Sequence, residues 1–237
     1  TALDYVKKIR KTPIVVKDTR GFYTNRVVPP YANEASLMVT EGISPALIEN
    51  SARLLGMPVG PLALIDETSQ ELGLRIAKAT RAELGEEAMP RTPADDLLEL
   101  FVEQLGRKGR KSGGGFYDYP EGEKKRIWSG LEEHYPLAEN QPSTEEVQER
   151  LLYAQLVPAA QCYHDGVVFD PESADLGAIF GWGFAPWTGG PMSHIDTIGA
   201  DEFVRVAERL AQQHGPRFTP PPSFRDMAEK GEKLYAA

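Results

Sequence analysis

The sequence predicts a mainly α-helical protein built as two tandem copies of one helical unit, preceded by a short helix and a single strand. Three observations predict this. Apolar residues recur at helical spacing along most of the 237 residues. One β-branched run, Ile14-Val15-Val16, stands nearly alone as a strand candidate. A series of residue pairs in the first half of the chain returns at equal spacing in the second.

The elements follow in order. Leu3, Val6 and Ile9 share one face of a short helix. Thr12-Pro13 then leads into Ile14-Val15-Val16, a strand with no sheet partner elsewhere in the chain. Gly21 breaks the chain, and a long helical run extends from Phe22 to about Thr40 with Pro29-Pro30 inside it, where a kink or irregular turn is expected. Ser44 and Pro45 read as N-cap and first helical residue, and Gly56 as the stop. Thr68 is placed to cap a helix reaching Gly85, and Thr92-Pro93 opens another through Leu97, Phe101 and Leu105. The basic loop RKGRKSGGG ends in Phe116-Tyr117-Asp118-Tyr119. Residues 120–142 are polar and weakly periodic, as a linker is. Ser143 and Glu146 have capping-box spacing and open a second helical block.

That block repeats the first. Asn25-Arg26 and Glu41-Gly42 correspond to Glu149-Arg150 and Asp165-Gly166. Gly60-Pro61 with Ile65-Asp66 corresponds to Gly190-Pro191 with Ile195-Asp196, and the register continues through Arg75 and Arg205 to Gly85 and Gly215. The second copy carries a Trp-rich insert, FGWGFAPWTGG. Two copies are too few for a solenoid, and two like units most simply pair about a pseudo-twofold.

Bulk properties exclude several classes. A net charge of −9 argues against a nucleic-acid surface, though a local basic pocket for a phosphorylated ligand is compatible with it. No apolar run has the length of a membrane span. One cysteine, Cys162, excludes an internal disulfide and a cysteine-based zinc site and suits a reducing compartment. No G-x-S-x-G elbow and no H-E-x-x-H pair is present, and His134, His164, His194 and His214 are scattered. The chain opens on Thr1-Ala2-Leu3 without an initiator Met, as a segment cut from a longer protein would.

Few polar residues stand out. Asn25 follows the Gly21 turn in the first turn of a helix, where it can cap, hold a substrate hydroxyl or orient a general base. Met57-Pro58-Val59-Gly60-Pro61 is an inter-helix loop, and its glycine and prolines also suit a rigid apolar wall for an acyl chain, with Met57, Pro58, Gly60 and Pro61 as its candidates. Gly113-Gly114-Gly115 lacks the strand and helix of a phosphate loop and reads as a flexible loop that lets Phe116 and Tyr117 dock. Arg107, Lys108, Arg110 and Lys111 read as a solvated basic loop, with contact to a nucleotide phosphate as the alternative.

KTPIVVKDTRGFYTNRVVPPYANEA, LGMPVGPLALID and GRKSGGGFYDY together resemble the C-terminal region of 3-hydroxyacyl-CoA dehydrogenases, closely to about Tyr119 and more loosely from Ser143. The duplication resembles the long form found in multifunctional β-oxidation enzymes. The resemblance implies two helical domains of the 6-phosphogluconate-dehydrogenase-C-terminal-like type at 21–119 and 143–237, a linker at 120–142, and at 1–20 the last helix and strand of a Rossmann domain lying upstream of Thr1. It implies that this upstream domain holds NAD and a catalytic His–Glu pair, the His taking the proton of the 3-hydroxyl while hydride passes from C3 to NAD. It places Asn25 at the family's Asn in G-F-x-x-N-R, bound to the reacting oxygen or to the His. The second copy has Glu149 at that place and no GF turn, which implies a packing role only. The implied partners are an acyl-CoA substrate and the Rossmann domain, with a hydratase domain and a thiolase subunit as further candidates, in the cytoplasm. Two other readings stay open: the helical domain of a different Rossmann-linked hydroxyacid dehydrogenase, and a helical interaction module that docks a partner through Trp182, Phe184 and Trp187.

Overall fold

The computed structural model describes residues 2–235. It divides into two compact units, Thr1–Pro30 with Leu152–Ala237, and Tyr31–Leu151. Helices dominate: α1 (Ala2–Lys8), α2 (Thr24–Thr40), α3 (Pro45–Leu55), α4 (Pro61–Thr68), α5 (Gln70–Leu84) and α6 (Pro93–Glu99), then α7 (Leu131–His134), α8 (Thr144–His164), α9 (Pro171–Trp182), α10 (Pro191–Ile198), α11 (Ala200–His214) and α12 (Pro222–Lys230). Among the described residues the sheet content is one antiparallel pair, β1 (Tyr117–Asp118) with β2 (Arg126–Ile127), Tyr117 standing opposite Ile127. The unit boundaries fall inside α2 and α8.

Local chemistry explains most helix ends. Pro45 starts α3 with φ preset, and Gly56 ends it in the left-handed region at φ 105°. Ser44 occupies the N-cap position without making the side-chain bond, and its N–H donates to Gln141 Oε1 at 2.8 Å. Thr68 does not cap a helix. It is the last residue of α4, its hydroxyl turns back to the Leu64 carbonyl at 2.9 Å, and Ser69 takes the cap of α5. Ser143 and Glu146 form the reciprocal box at α8: the Ser143 N–H donates to Glu146 Oε2 (2.7 Å), and the Glu146 N–H donates to Ser143 Oγ (3.2 Å). Helix α2 runs through Pro29 and Pro30, so the Asn25 and Arg26 carbonyls lose the donors four residues on.

In the unit Tyr31–Leu151 the core is built on Met38, Ile48, Leu62, Leu97, Phe101 and Phe116. A π-helical turn, Leu100–Gln104, follows α6 and buries Phe101 and Val102. The Phe101 ring lies 4.9 Å from Phe116 and 5.8 Å from Trp128, centre to centre. Residues 120–142 are packed as well as polar. They supply β2, α7 with its buried Leu131, and Ala138, whose N–H donates to the Gly42 carbonyl at 2.9 Å.

The unit of residues 1–30 and 152–237 is centred on Tyr23, Val27, Leu156, Phe184, Phe203 and Phe224. Helix α11 shows the cleanest stripe: Phe203, Val206, Ala207 and Leu210 are buried, with α12 packed against the helix. The strand expected over Ile14–Val16 does not form. Residues 11–15 carry no regular structure, and Val16 makes one antiparallel bridge to Val168, with the Lys17 N–H donating to the Val167 carbonyl at 2.9 Å. A ladder needs a neighbouring strand along its length, and the bridge at Val168 supplies one rung. Helix α1 buries no residue, while Leu3, Tyr5 and Val15 are exposed. Of the Trp-rich insert, Phe184 is core, Trp182 donates to Gln155 Oε1 at 3.1 Å and meets the Tyr23 ring edge-on, and Trp187 is 69% exposed.

One buried ion cluster ties α8 to α2 within the unit Tyr31–Leu151. The Arg150 guanidinium bonds Glu34 through Nε and Glu41 through both terminal nitrogens, at 2.5 and 2.7 Å, with Glu34 fully buried. Removing the cation leaves the Glu34 carboxylate buried without it. Arg150→Ala is therefore expected to lower unfolding free energy by about 3–5 kcal/mol, measured by urea titration.

Candidate functional site

Asn25 is the second residue of α2 and is reached through a strained turn. Gly21 (φ 79°) and Phe22 (φ 48°) are both left-handed. For a phenylalanine that conformation costs on the order of 1–3 kcal/mol. The turn is braced from below, because Arg26 Nε donates to the Arg20 carbonyl at 3.0 Å. The Asn25 backbone N–H donates to the Gly21 carbonyl at 3.2 Å, while its side chain is exposed and makes no bond among the described residues. The amide is thus presented outward and does no capping.

The Met57–Pro61 loop lies in the other unit. Met57, Gly60 and Pro61 are buried, and Pro58 is exposed together with Val59. Both ends of the loop are fixed. The Met57 N–H donates to the Ala52 carbonyl at 3.0 Å. At the far end α4 begins Gly60-Pro61, a start with no side-chain cap and no N–H at its first residue. Glu49, 2% exposed on α3, supplies the missing acceptor. Its Oε1 accepts from Leu62 N–H at 2.7 Å and Ala63 N–H at 3.2 Å, and its Oε2 accepts from the Tyr117 hydroxyl at 2.6 Å. A Cβ on Gly60 would lie 2.4 Å from that carboxylate. Burial and the bond to Glu49 hold the Tyr117 phenol well above its usual range, so it stays a donor.

Asp66, near the end of α4, completes the cluster. Oδ1 accepts from Phe116 N–H and Gln70 Nε2, both at 2.9 Å, and Oδ2 from Tyr117 N–H (2.9 Å) and the Tyr119 hydroxyl (3.0 Å). Burial raises its pKa, and these four bonds act against that rise. The three glycines before Phe116 differ in kind. Gly113 is left-handed (φ 81°) with open space around it, a Cβ on Gly114 would press the Arg107 guanidinium at 3.0 Å, and a Cβ on Gly115 would meet Asp66 at 1.9 Å. The run is a packed joint in which Phe116 and Tyr117 dock, not a flexible one.

The basic loop is neutralised internally. Arg107 donates to the Gly115 and Tyr117 carbonyls and to Asp118 Oδ1 (2.8, 3.0 and 2.7 Å), with its guanidinium 4.1 Å from the Trp128 ring centre. Lys108 pairs with Glu71 and Arg110 with Glu67, each at 2.7 Å. Three of its four cations are therefore engaged, which disfavours the phosphate-contact alternative.

The unit of residues 1–30 and 152–237 holds a cluster of the same design. Helix α10 begins Gly190-Pro191, and Asp175 on α9 accepts from Met192 N–H (2.7 Å), Ser193 N–H (2.9 Å) and the Ser193 and Tyr235 hydroxyls (both 2.6 Å). Asp196 accepts from Leu234 N–H at 2.8 Å and Tyr235 N–H at 2.9 Å. Burial raises the Asp175 carboxyl, opposed by its donors. The histidines join neither cluster: His164 Nδ1 lies 2.8 Å from Ser223 Oγ, and burial lowers the pKa of His194 beside Trp187.

The predicted residues Asn25 and Met57–Pro61 thus fall in different units. Sequence reading missed Glu49, Asp175, Tyr117 and Tyr235. A usable signal exists: a helix opening Gly-Pro has no cap of its own and needs an acceptor from elsewhere. No group of three or more metal-ligating side chains is found among the described residues. A nicotinamide dinucleotide does not fit them either, since no parallel sheet ends in a glycine turn here and the N–H groups of Gly113 and Gly115 are bonded within their own loop.

The fold is similar to that of two solved dehydrogenase structures. The 3-hydroxybutyryl-CoA dehydrogenase of Escherichia coli K12 superposes with a TM-score of 0.72 over 96% of this chain and 64% of its own, at 19% identity. The dehydrogenase part of multifunctional enzyme 1 from C. elegans gives 0.67 over 95% and 52%, at 22% identity. Residues 21–119 match the family model described as 3-hydroxyacyl-CoA dehydrogenase, C-terminal domain. The fatty acid oxidation complex subunit alpha of Shewanella sp. (strain MR-7) is 38% identical over 99% of this chain, and that of Shewanella halifaxensis (strain HAW-EB4) is 37% identical over 100%. The chain spans about a third of the length of these curated relatives.

The glycine run yields a graded prediction. Gly115→Ala is expected to cost about 3 kcal/mol or more by overpacking against Asp66, whereas Gly113→Ala costs about 1 kcal/mol, for its left-handed φ alone. Urea unfolding of the two variants measures the difference.

Proposed function

We propose that this chain is the C-terminal helical region of an NAD-dependent L-3-hydroxyacyl-CoA dehydrogenase of fatty-acid oxidation, and that it supplies Asn25 from the substrate side of the active site. The observation that carries the reading is Asn25 itself. It occupies the Asn of a G-F-x-x-N-R motif inside the matched residues, its turn is strained and braced, and its amide is free to bond a ligand. An amide there can donate to the oxygen on C3 or accept from a protonated base. Pro58 and Val59 give the other unit an exposed apolar tip, suited to an acyl chain. The relatives' name, fatty acid oxidation complex subunit alpha, supports a place in fatty-acid oxidation and in a complex; an acyl-CoA substrate, a hydratase domain and a thiolase subunit are our candidates. No described helix is long and apolar enough to cross a membrane; a cytoplasmic location is part of the proposal.

The same reading includes the duplication, with helical copies at 21–119 and 143–237, a linker at 120–142, and at 1–20 the last helix and extended segment of an NAD-binding domain. Support comes from the order of elements, since α2 to α5 and α8 to α11 form parallel series, and α5 and α11 have 15 residues each. Support also comes from the two Gly-Pro helix starts, each capped by a buried carboxylate that also receives a tyrosine hydroxyl. Glu149 stands at the register position of Asn25, so the second copy serves packing.

One observation favours a second reading, a docking module: Phe180 and Trp187 are each 69% exposed. Iodide quenching of tryptophan fluorescence with and without candidate partner subunits tests it. For the principal reading, the 237-residue chain alone is expected to show no NADH-dependent reduction of acetoacetyl-CoA. In the longer dehydrogenase, Asn25→Ala is expected to lower kcat about 100-fold with Tm unchanged. Activity of the chain alone, or an unchanged kcat, contradicts it.

A further inference from the structure

We infer that Glu49 is a positioning residue for the acyl chain, holding the exposed Pro58–Val59 tip in place through the helix start behind it, with Tyr117 as its aligner. The inference rests on the substrate-side reading above and adds a role for residues with no part in the chemistry. Pro58 and Val59 are the exposed members of a loop whose neighbours Met57 and Gly60 are buried. Upstream the loop is tied to α3 through Gly56 N–H to the Arg53 carbonyl and Met57 N–H to the Ala52 carbonyl, both at 3.0 Å. Downstream its position depends on Glu49, because Gly60 offers no side chain, Pro61 offers no N–H, and the carboxylate gathers the Leu62 and Ala63 N–H groups. The carboxylate fills the space a Cβ on Gly60 would need, so the loop backbone rests directly on it.

A carboxylate that gathers two N–H groups can rotate, and the Tyr117 hydroxyl on Oε2 removes that freedom. Tyr117 is itself fixed by its backbone N–H on Asp66 Oδ2 and by Lys125, whose ammonium lies 4.5 Å from its ring centre. Arg53 Nη2 approaches Glu49 Oε2 at 3.7 Å, half exposed and weakly placed, so the tyrosine is the main aligner. The tip is thereby coupled to the Gly115–Tyr119 segment, which follows it by more than fifty residues in the chain.

The chain contains its own control. Asp175 and Tyr235 make the same contacts in the unit of residues 1–30 and 152–237. Their loss costs structure, but no acyl-chain tip depends on them.

The test is steady-state kinetics on the longer dehydrogenase with short- and long-chain 3-hydroxyacyl-CoA. Glu49→Gln and Tyr117→Phe are expected to raise KM for the long-chain substrate about tenfold, leave its kcat within about twofold, and change the short-chain KM little. Asp175→Asn and Tyr235→Phe are expected to lower Tm while leaving both KM values at wild type. Tyr117→Phe removes one hydroxyl and decides the matter if Glu49→Gln does not fold. The inference is overturned if the Glu49 and Tyr117 variants lose Tm with an unchanged long-to-short KM ratio, or if the Asp175 and Tyr235 variants shift that ratio equally. A wild-type enzyme that turns over neither substrate removes the proposed function and this inference together, a result distinct from normal turnover with insensitive variants.

Discussion

A helix that begins with glycine and proline cannot cap itself, and the architecture of each unit follows from how that deficit is met. Glycine brings no acceptor and proline no first N–H, so the next two N–H groups point into the protein without a partner. Each such donor left unsatisfied and buried costs about 1–3 kcal/mol. Here a carboxylate from the preceding helix takes both: Glu49 for α4 and Asp175 for α10. The arrangement also answers the opposite problem, the burial of a carboxylate, because helix N-terminal N–H groups favour negative charge. A tyrosine hydroxyl from far along the chain occupies a remaining lone pair in each case. Two costly groups thereby satisfy each other, and a third segment is tied in.

This constraint sets the residue types around it. Gly60 is glycine because the carboxylate lies where its side chain would be, and Gly190 stands in the same relation to Asp175. Gly115 is glycine because Asp66 occupies its side-chain volume while collecting the N–H groups of Phe116 and Tyr117. The glycine-rich run invites a phosphate-binding reading, yet its composition follows from close approach to a carboxylate. Its neighbouring cations are likewise engaged with Glu71, Glu67 and Asp118.

What the sequence made legible was local. Pro45 and Gly56 bound α3 through backbone preference alone, and Ser143 with Glu146 forms a box within one helical turn. Thr68 and Ser69 show the limit, since either neighbour can cap and only the break between α4 and α5 decides for Ser69. Long-range partners stayed out of view: nothing near Glu49 in the sequence points to Leu62 or Tyr117, and its burial on α3 looks no different from an ordinary amphipathic pattern with one misplaced acid. The run Ile14–Val16 has strand chemistry, but a strand is a property of its neighbours, and one rung to Val168 does not make a ladder. Asn25 is singled out by its motif alone. The strain at Phe22 and the absence of a capping bond, which distinguish a presented amide from a structural one, required the backbone.

The measurement closest to the central claim is amide hydrogen exchange at the two helix starts. If buried carboxylates hold them, Glu49→Ala speeds exchange at Leu62 and Ala63 by about tenfold or more and leaves Met192 and Ser193 as they were, while Asp175→Ala does the reverse. Wild-type protection at Leu62 and Ala63 in the Glu49→Ala protein would show that α4 is held by something else, and the account would fail.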